Sequence, residues 1–533
     1  MKTDYISNSP YDYVIVGAGS AGCVLANRLT QDSNTKVLLL EAGKADDKQE
    51  IHIPTGFSTL FQSEYDWSYY TEKQPHLNNR SLYWPRGKVL GGCSSINAMI
   101  YIRGNYHDYD RWHNLGNDGW SAKEVLPYFK KAENQERGAN EYHSMGGPLN
   151  ITNQRFINSL SHTFVKACLE AGFCENNDFN GEQQEGFGVY QVTQKNGKRH
   201  SVAAAYLKPI LHRSNLTVLT NVHVKRILFQ GTRAVGLTYI QDDVTKDIKI
   251  AREVILSCGT INSPQLLMLS GIGPAKHLKS LEIPMIVDLP GVGQNLQDHL
   301  LVPVIYECTK LITLLNANKL TSLLKYLIFK NGPLTSNVAE AGGFIKTRPN
   351  LEVSDLQFHF APFYLFNHGL IKPEKHAFTF GPTLLRPQSR GSITLRSNNP
   401  FEPPVIQPNY LENKADLQVL LEGVYLSRKL AKMTAFDVFR GDELVPGYSV
   451  QTEEEICDFI RNNVETLYHP VGTCKMGNDS MSVVNSQLQV YGVEGLRVVD
   501  GSIMPDIIGG NTNAPIIMIA EKAADMLIDN YQR

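Results

Sequence analysis

At 533 residues the chain is too long for one ordinary domain, and its 42% hydrophobic and 20% charged content is that of a globular protein. Fifty-one basic against 53 acidic residues leave a formal charge of −2, which gives no grounds for nucleic acid or another polyanion as partner. Eight cysteines without a CxxC pair speak against a zinc framework and suit reduced thiols. No apolar run approaches the ~20 residues of a membrane span. Met1–Pro10 is polar and lacks the apolar core of a secretory leader, so the expected location is cytoplasmic.

The stretch from Tyr13 to Glu41 predicts strand, glycine turn, helix and strand in succession. An apolar run, Tyr13–Val16, breaks into Gly17-Ala18-Gly19-Ser20-Ala21-Gly22, and a small-residue helix, Cys23–Leu29, precedes a second apolar run, Lys36–Leu40. Gly17 permits the tight turn, Gly19 lets the backbone approach a pyrophosphate, and Gly22 lets the helix lie close to the sheet. The N–H groups of Ser20 and Ala21 at the helix start suit phosphate oxygens. Glu41, 24 residues beyond Gly17 and followed by Ala42, stands where a carboxylate accepts from a ribose hydroxyl. This is a Rossmann-type dinucleotide site. An acidic residue there disfavours a 2′-phosphate, leaving FAD or NAD.

Beyond Glu41 an aromatic, turn-rich excursion carries Trp67, Tyr69 and Tyr70. Residues 84–98 place Arg86, Lys88, Val89, Gly91, Gly92, Ser94, Asn97 and Ala98 in one loop. It reads equally as a cradle for phosphates or a flavin ring and as a glycine-rich turn before a helix over Asn97–Ile102. Helices are expected at Asp108–Glu133, Arg155–Ala171, Ser201–Leu211 and Ser263–Leu269. Strands are expected at Leu216–Leu219, Val222–Phe229 and Ala234–Ile240, forming a meander, and at Val254–Cys258 running into Gly259.

Leu311–Phe329 is apolar and edged by Lys319, Lys325 and Lys330. It reads first as a helix of a second domain and second as a peripheral contact with a membrane surface. Asp355–Phe360 and Gly391–Leu395 suggest a separate sheet, Leu417–Lys429 and Glu453–Val464 two helices, and Leu496–Val499 a late strand returning to the first sheet before a final helix, Ala514–Ile528. The expected architecture is α/β, α+β overall. A discontinuous cofactor domain (10–155, 200–310 and 465–533) receives a substrate domain (156–199 and 311–464) built on an antiparallel sheet.

Four blocks, GAGSAG with Glu41, RGKVLGGCSSINA at 86–98, GTINSPQLLMLSGIG at 259–273, and YHPVGTCKMG at 468–477 with LRVVDGSIMP and NTNAP at 496–515, resemble the glucose–methanol–choline flavoprotein oxidoreductases. The likeness runs from Tyr11 to the C-terminus and is greatest to the choline-dehydrogenase-like and alcohol dehydrogenase branch. It implies FAD as cofactor, with its ring between the two domains. It also implies that the 86–98 block meets flavin and pyrophosphate, and that Val224 lies at the adenine end. Cys258, Gly259, Asp500, Gly501 and Asn513-Ala514-Pro515 join the cofactor site in the same way. The position that carries a covalent flavin link in some relatives is Ile96 here, which implies dissociable FAD.

The chemistry implied is oxidation of a primary alcohol to the aldehyde, with hydride passing to flavin N5 and electrons to a quinone, a dye or O2. Such oxidation needs a base within reach of the hydroxyl. Among 15 histidines the family match points to His469, with Asn513 as its partner, and leaves His299 and His359 as structural or pocket-lining. Two other chemistries share the scaffold: hydroxynitrile cleavage and light-driven fatty-acid decarboxylation.

Overall fold

The structure, a computed structural model, describes residues 10–532 apart from 318 and 372; the polar stretch weighed above as a leader lies, but for Pro10, outside them. Two sheets organise the chain. The first runs in the order 216–219, 37–40, 11–16, 244–256, 233–241 and 223–230, with 496–498 also paired to 244–256. Its five neighbouring strands Leu216–Leu219, Val37–Leu40, Tyr11–Val16, the end of Val244–Leu256, and Leu496–Val498 are parallel, in register Val14 opposite Leu38 and Val254. The runs VIV and VLLL are buried along their length, the pattern of strands covered on both faces. The helix Ser20–Leu29 and the final helix Asn513–Gln532 pack together and are clamped where Arg28 makes two 2.7 Å bonds to buried Glu521.

The second sheet is antiparallel, in the order 440–445, 304–308, 377–384, 356–361, 341–345 and 186–189. Phe164, Phe358, Phe360, Phe378, Phe380 and Phe436 fill the core beneath it. Strands on both sides of residue 310 pair into this second sheet. Val304–Cys308 pairs with Ala377–Leu384, and Leu300–Leu301 pairs with both that strand and Glu465–Thr466, so these pieces belong to the second sheet.

Several local expectations change. Asn97–Ile102 is not a helix: a short 3-10 turn ends at Ser95, Met99 takes a left-handed φ of 59°, and Ile100 bridges to Val192. Leu216–Leu219 joins the parallel sheet rather than the meander, whose third strand is the polar first half of Val244–Leu256. Asp108–Glu133 divides into Tyr106–Asn114 and Ala122–Ala132, each started by a capping box. All eight cysteines are free, and no described helix is long and apolar enough to cross a membrane.

Candidate active site

A cavity opens at the C-terminal edge of the parallel strands and extends to the second sheet. At its first end the backbone does the shaping. Gly17 holds φ at 97°, and a Cβ there would lie 2.4 Å from the Ser257 carbonyl oxygen. A Cβ on Gly22 would lie 1.9 Å from the Gly17 oxygen, so the turn closes only without side chains. At Gly19 a Cβ would meet nothing nearer than 4.0 Å; with Ser20 and Ala21 it faces open space at the helix start.

Glu41 lies on the wall. Its Oε2 accepts from the Ala18 N–H at 2.9 Å and its Oε1 from the Gly43 N–H at 2.8 Å. Burial pushes this carboxyl up to about 7, against the pull of those N–H groups. Ala42, Trp67, His223, Val224 and Pro400 line the same region. Trp67 stacks on Tyr69, and Lys88 Nζ lies 4.6 Å from the centre of the Trp67 ring. A glycine turn, a carboxylate and an aromatic wall in that order fit an extended dinucleotide.

Midway, Arg86, Gly92, Asn97 and Ala98 meet Cys258, Gly259, Asp500, Gly501 and Asn513 across the cavity. Asp500 accepts from the Gly259 N–H at 2.9 Å, from Ser263 Oγ at 2.5 Å and from the Ser502 N–H at 2.8 Å, which ties the last strand to the helix Gly259–Leu269. Six expected contacts do not reach the wall. Gly22 and Gly91 serve backbone packing, Gly91 donating to the Ala18 oxygen at 2.7 Å, and Val89 is core. Ser94 Oγ accepts from the Val202 N–H at 3.0 Å, and Ala514 and Pro515 follow Asn513 into the final helix.

The far end holds His469. Its turn is pinned from several sides: Tyr468 has φ 68°, the Tyr468 oxygen accepts from Arg86 Nη2 at 2.6 Å, and the His469 N–H donates to Asp298 Oδ1 at 2.8 Å. Asp298 in turn accepts from Thr466 Oγ1 at 2.6 Å and from the Tyr410 hydroxyl. Asn513 does not face the histidine; its Oδ1 accepts from Ser20 Oγ at 2.7 Å, where the two helix starts meet. The amide beside the imidazole is Asn511, with Nδ2 3.3 Å from His469 Nε2.

Behind the ring, His299 Nδ1 lies 3.0 Å from His469 Nδ1, and His299 Nε2 lies 3.2 Å from the Leu385 oxygen. A carbonyl only accepts, so His299 carries its proton on Nε2. Burial, then the Arg386 charge, depresses His299 to about 3 and keeps it neutral, leaving a lone pair on Nδ1. His469 must therefore donate from Nδ1, and its unprotonated Nε2 accepts from Asn511 Nδ2 at 3.3 Å. Burial, with the neighbouring histidines, also holds His469 well below the usual histidine range. His359 lines the same end with its buried Nε2 unpartnered.

Two family models described as GMC oxidoreductase match residues 11–301 and 387–520. The chain belongs to the GMC oxidoreductase family. It is 48% identical to mitochondrial choline dehydrogenase of Mus musculus, over 98% of this chain and 90% of that protein. It is 47% identical to alcohol dehydrogenase [acceptor] of Pseudomonas putida, over 97% and 96%. Among solved structures, pyridoxine 4-oxidase from Mesorbium loti superposes with TM-score 0.90 at 30% identity, over 97% of this chain and 99% of that one. Formate oxidase superposes with TM-score 0.93 at 28% identity, over 99% and 100%. As a GMC oxidoreductase the chain is an FAD-dependent enzyme acting on CH–OH donors. The signals missed in the sequence were Asn511, two residues before the expected amide, and His299, which its neighbours alone make a partner of His469.

Proposed function

We propose that the enzyme oxidises an uncharged primary alcohol with an apolar chain to its aldehyde, with His469 Nε2 taking the hydroxyl proton. The observation that carries this reading is the Nδ1-to-Nδ1 contact with His299, which leaves His469 Nε2 unprotonated, held by the Asn511 amide until an entering hydroxyl takes up both groups. Asn511 orients the alcohol oxygen, since an amide donates without adding charge; Asn513 keeps the helix start against Ser20. FAD held along the glycine turn and Glu41 would supply the hydride acceptor, with a quinone, a dye or O2 as the external electron acceptor. Ile96 cannot form a histidyl link to the ring, which supports dissociable FAD.

The substrate end is walled by Phe57, Phe61, Val338 and Leu365, with Glu465 as the carboxylate there. Glu465 accepts from the His368 backbone N–H at 3.2 Å, and burial pushes it up to about 7. In this reading the cofactor domain comprises 10–155, 200–299 and 467–533, and the substrate domain the remainder between them.

The test is anaerobic addition of choline, benzyl alcohol and medium-chain alkanols to the yellow holoenzyme. Bleaching by the alkanols or benzyl alcohol supports the reading; bleaching by choline alone overturns the substrate class. Dithionite bleaching with no response to any alcohol would bring forward hydroxynitrile cleavage or light-driven decarboxylation.

A further inference from the structure

The helix Leu320–Phe329 is inside out. Its buried residues are Ser322 and Tyr326, one turn apart, while Leu320, Leu323, Leu324, Leu327, Ile328 and Phe329 face outward, with Leu320 and Phe329 each 69% exposed. Leu311, at 74%, and Ile312 extend the apolar surface just before it. Single exposed leucines are ordinary, but a continuous apolar face of this kind is a contact surface.

Two observations say what covers it. The first is charge. Residues 308–339 contain Lys310, Lys319, Lys325 and Lys330 and no acidic residue, in a chain whose formal charge is −2. None of the four makes an ion pair with a described residue; Lys330 instead lies 4.9 Å over the Tyr326 ring. A second copy of the chain would set lysines against lysines around a two-fold axis. An anionic lipid surface accepts both the apolar face and the lysine stems that edge it.

The second is continuity with the cavity. Leu314 and Ala317, just before the helix, pack in one apolar cluster with the cavity residues Phe57, Phe61 and Val338. After the helix the turn Pro333–Thr335 leads straight to Val338, and Thr55 Oγ1 donates to the Leu334 oxygen at 3.4 Å. The exposed helix is thus joined at both ends to the wall of the substrate end.

We infer that this helix docks the enzyme on an anionic bilayer surface, its apolar face set among the acyl chains and its lysines at the headgroups. The experiment is flotation of the holoenzyme with phosphatidylcholine vesicles, with and without phosphatidylglycerol, beside Leu324→Glu/Leu327→Glu. Wild type is expected to float with the anionic vesicles and to be released by salt. The variant should lose binding by ~10-fold or more, while keeping its flavin spectrum and its dye-coupled activity on a water-soluble alcohol. A wild type that stays with the soluble fraction at every lipid composition overturns the inference, as does a variant that floats equally well. Sedimentation showing a wild-type dimer that the variant breaks also overturns it, by making a second copy the occupant.

Discussion

The two ends of the cavity are built in opposite ways. The glycine-turn end is made largely by backbone, from the stretch Gly17 to Glu41 with the Ser257 carbonyl closed against it, where missing side chains and fixed carbonyls shape the space. The far end is made by side chains from segments that meet only in three dimensions: His299, His359, His469 and Asn511. A backbone site tolerates no added atoms where carbonyls close on it, as at Gly17 and Gly22, whereas a site of assembled side chains loses function by degrees. Substitutions at the two ends should therefore differ in kind.

The largest effect is expected at the backbone end. Gly22→Val drives Cβ into the Gly17 oxygen, 1.9 Å away before relaxation, and should give protein that purifies colourless and takes up no FAD, as read by its visible spectrum. A yellow variant would show that the turn is softer than its geometry. Next, His469→Ala should keep the flavin spectrum while kcat falls by ~100- to 10,000-fold, the usual share of a positioned base. Flavin loss in that variant would mean the two ends are not separable.

The neighbouring amides sharpen the contrast within a single short segment. Asn511→Ala should lower kcat by ~10-fold or more at unchanged flavin content, by loss of one hydrogen bond to the reacting oxygen. Asn513→Ala should leave the chemical step alone and weaken FAD retention. The reverse pattern would restore Asn513 as the histidine's partner.

The pH dependence supplies a finer test. A base acts when unprotonated, and His469 is held below the ordinary histidine value, so kcat/KM should stay level as pH falls through 6.5 and decline only in more acid solution. His299→Phe removes the Nδ1 acceptor and frees the His469 tautomer. It should lower kcat and move that acid limb, whereas a merely structural role for His299 would leave the limb in place. The smallest of these effects is the limb's displacement, readable as a shift in the pH profile of flavin reduction.

Much of the glycine-turn end was legible because its elements are neighbours along the chain. The spacing of Gly17, Gly19 and Gly22 and the distance to Glu41 are properties of one strand–turn–helix–strand unit. The late strand's return to the first sheet was legible too, from a short apolar run before a helix. The helix expected at Asn97–Ile102 was not there, because Met99 turns left-handed and Ile100 pairs with Val192, far along the chain. The polar first half of Val244–Leu256 escaped notice because an exposed meander strand carries no apolar run; it is held by its pairing to Arg233–Gln241.

By itself, then, the sequence determined the class of cofactor, a dinucleotide, and the glycine turn that opens the first strand–helix unit, since a tight turn without side chains is a local demand on a few adjacent residues. It also marked His469 as a residue of interest through the family's motif. Which amide faces that histidine, and which of its nitrogens holds the proton, only the tertiary structure decided. Two asparagines on either side of one threonine look alike in a string. One follows two bends and lies beside the imidazole, and the other begins a helix. The tautomer depends on a carbonyl at Leu385 and a ring at position 299, brought together by the second sheet across 86 and 170 residues of chain.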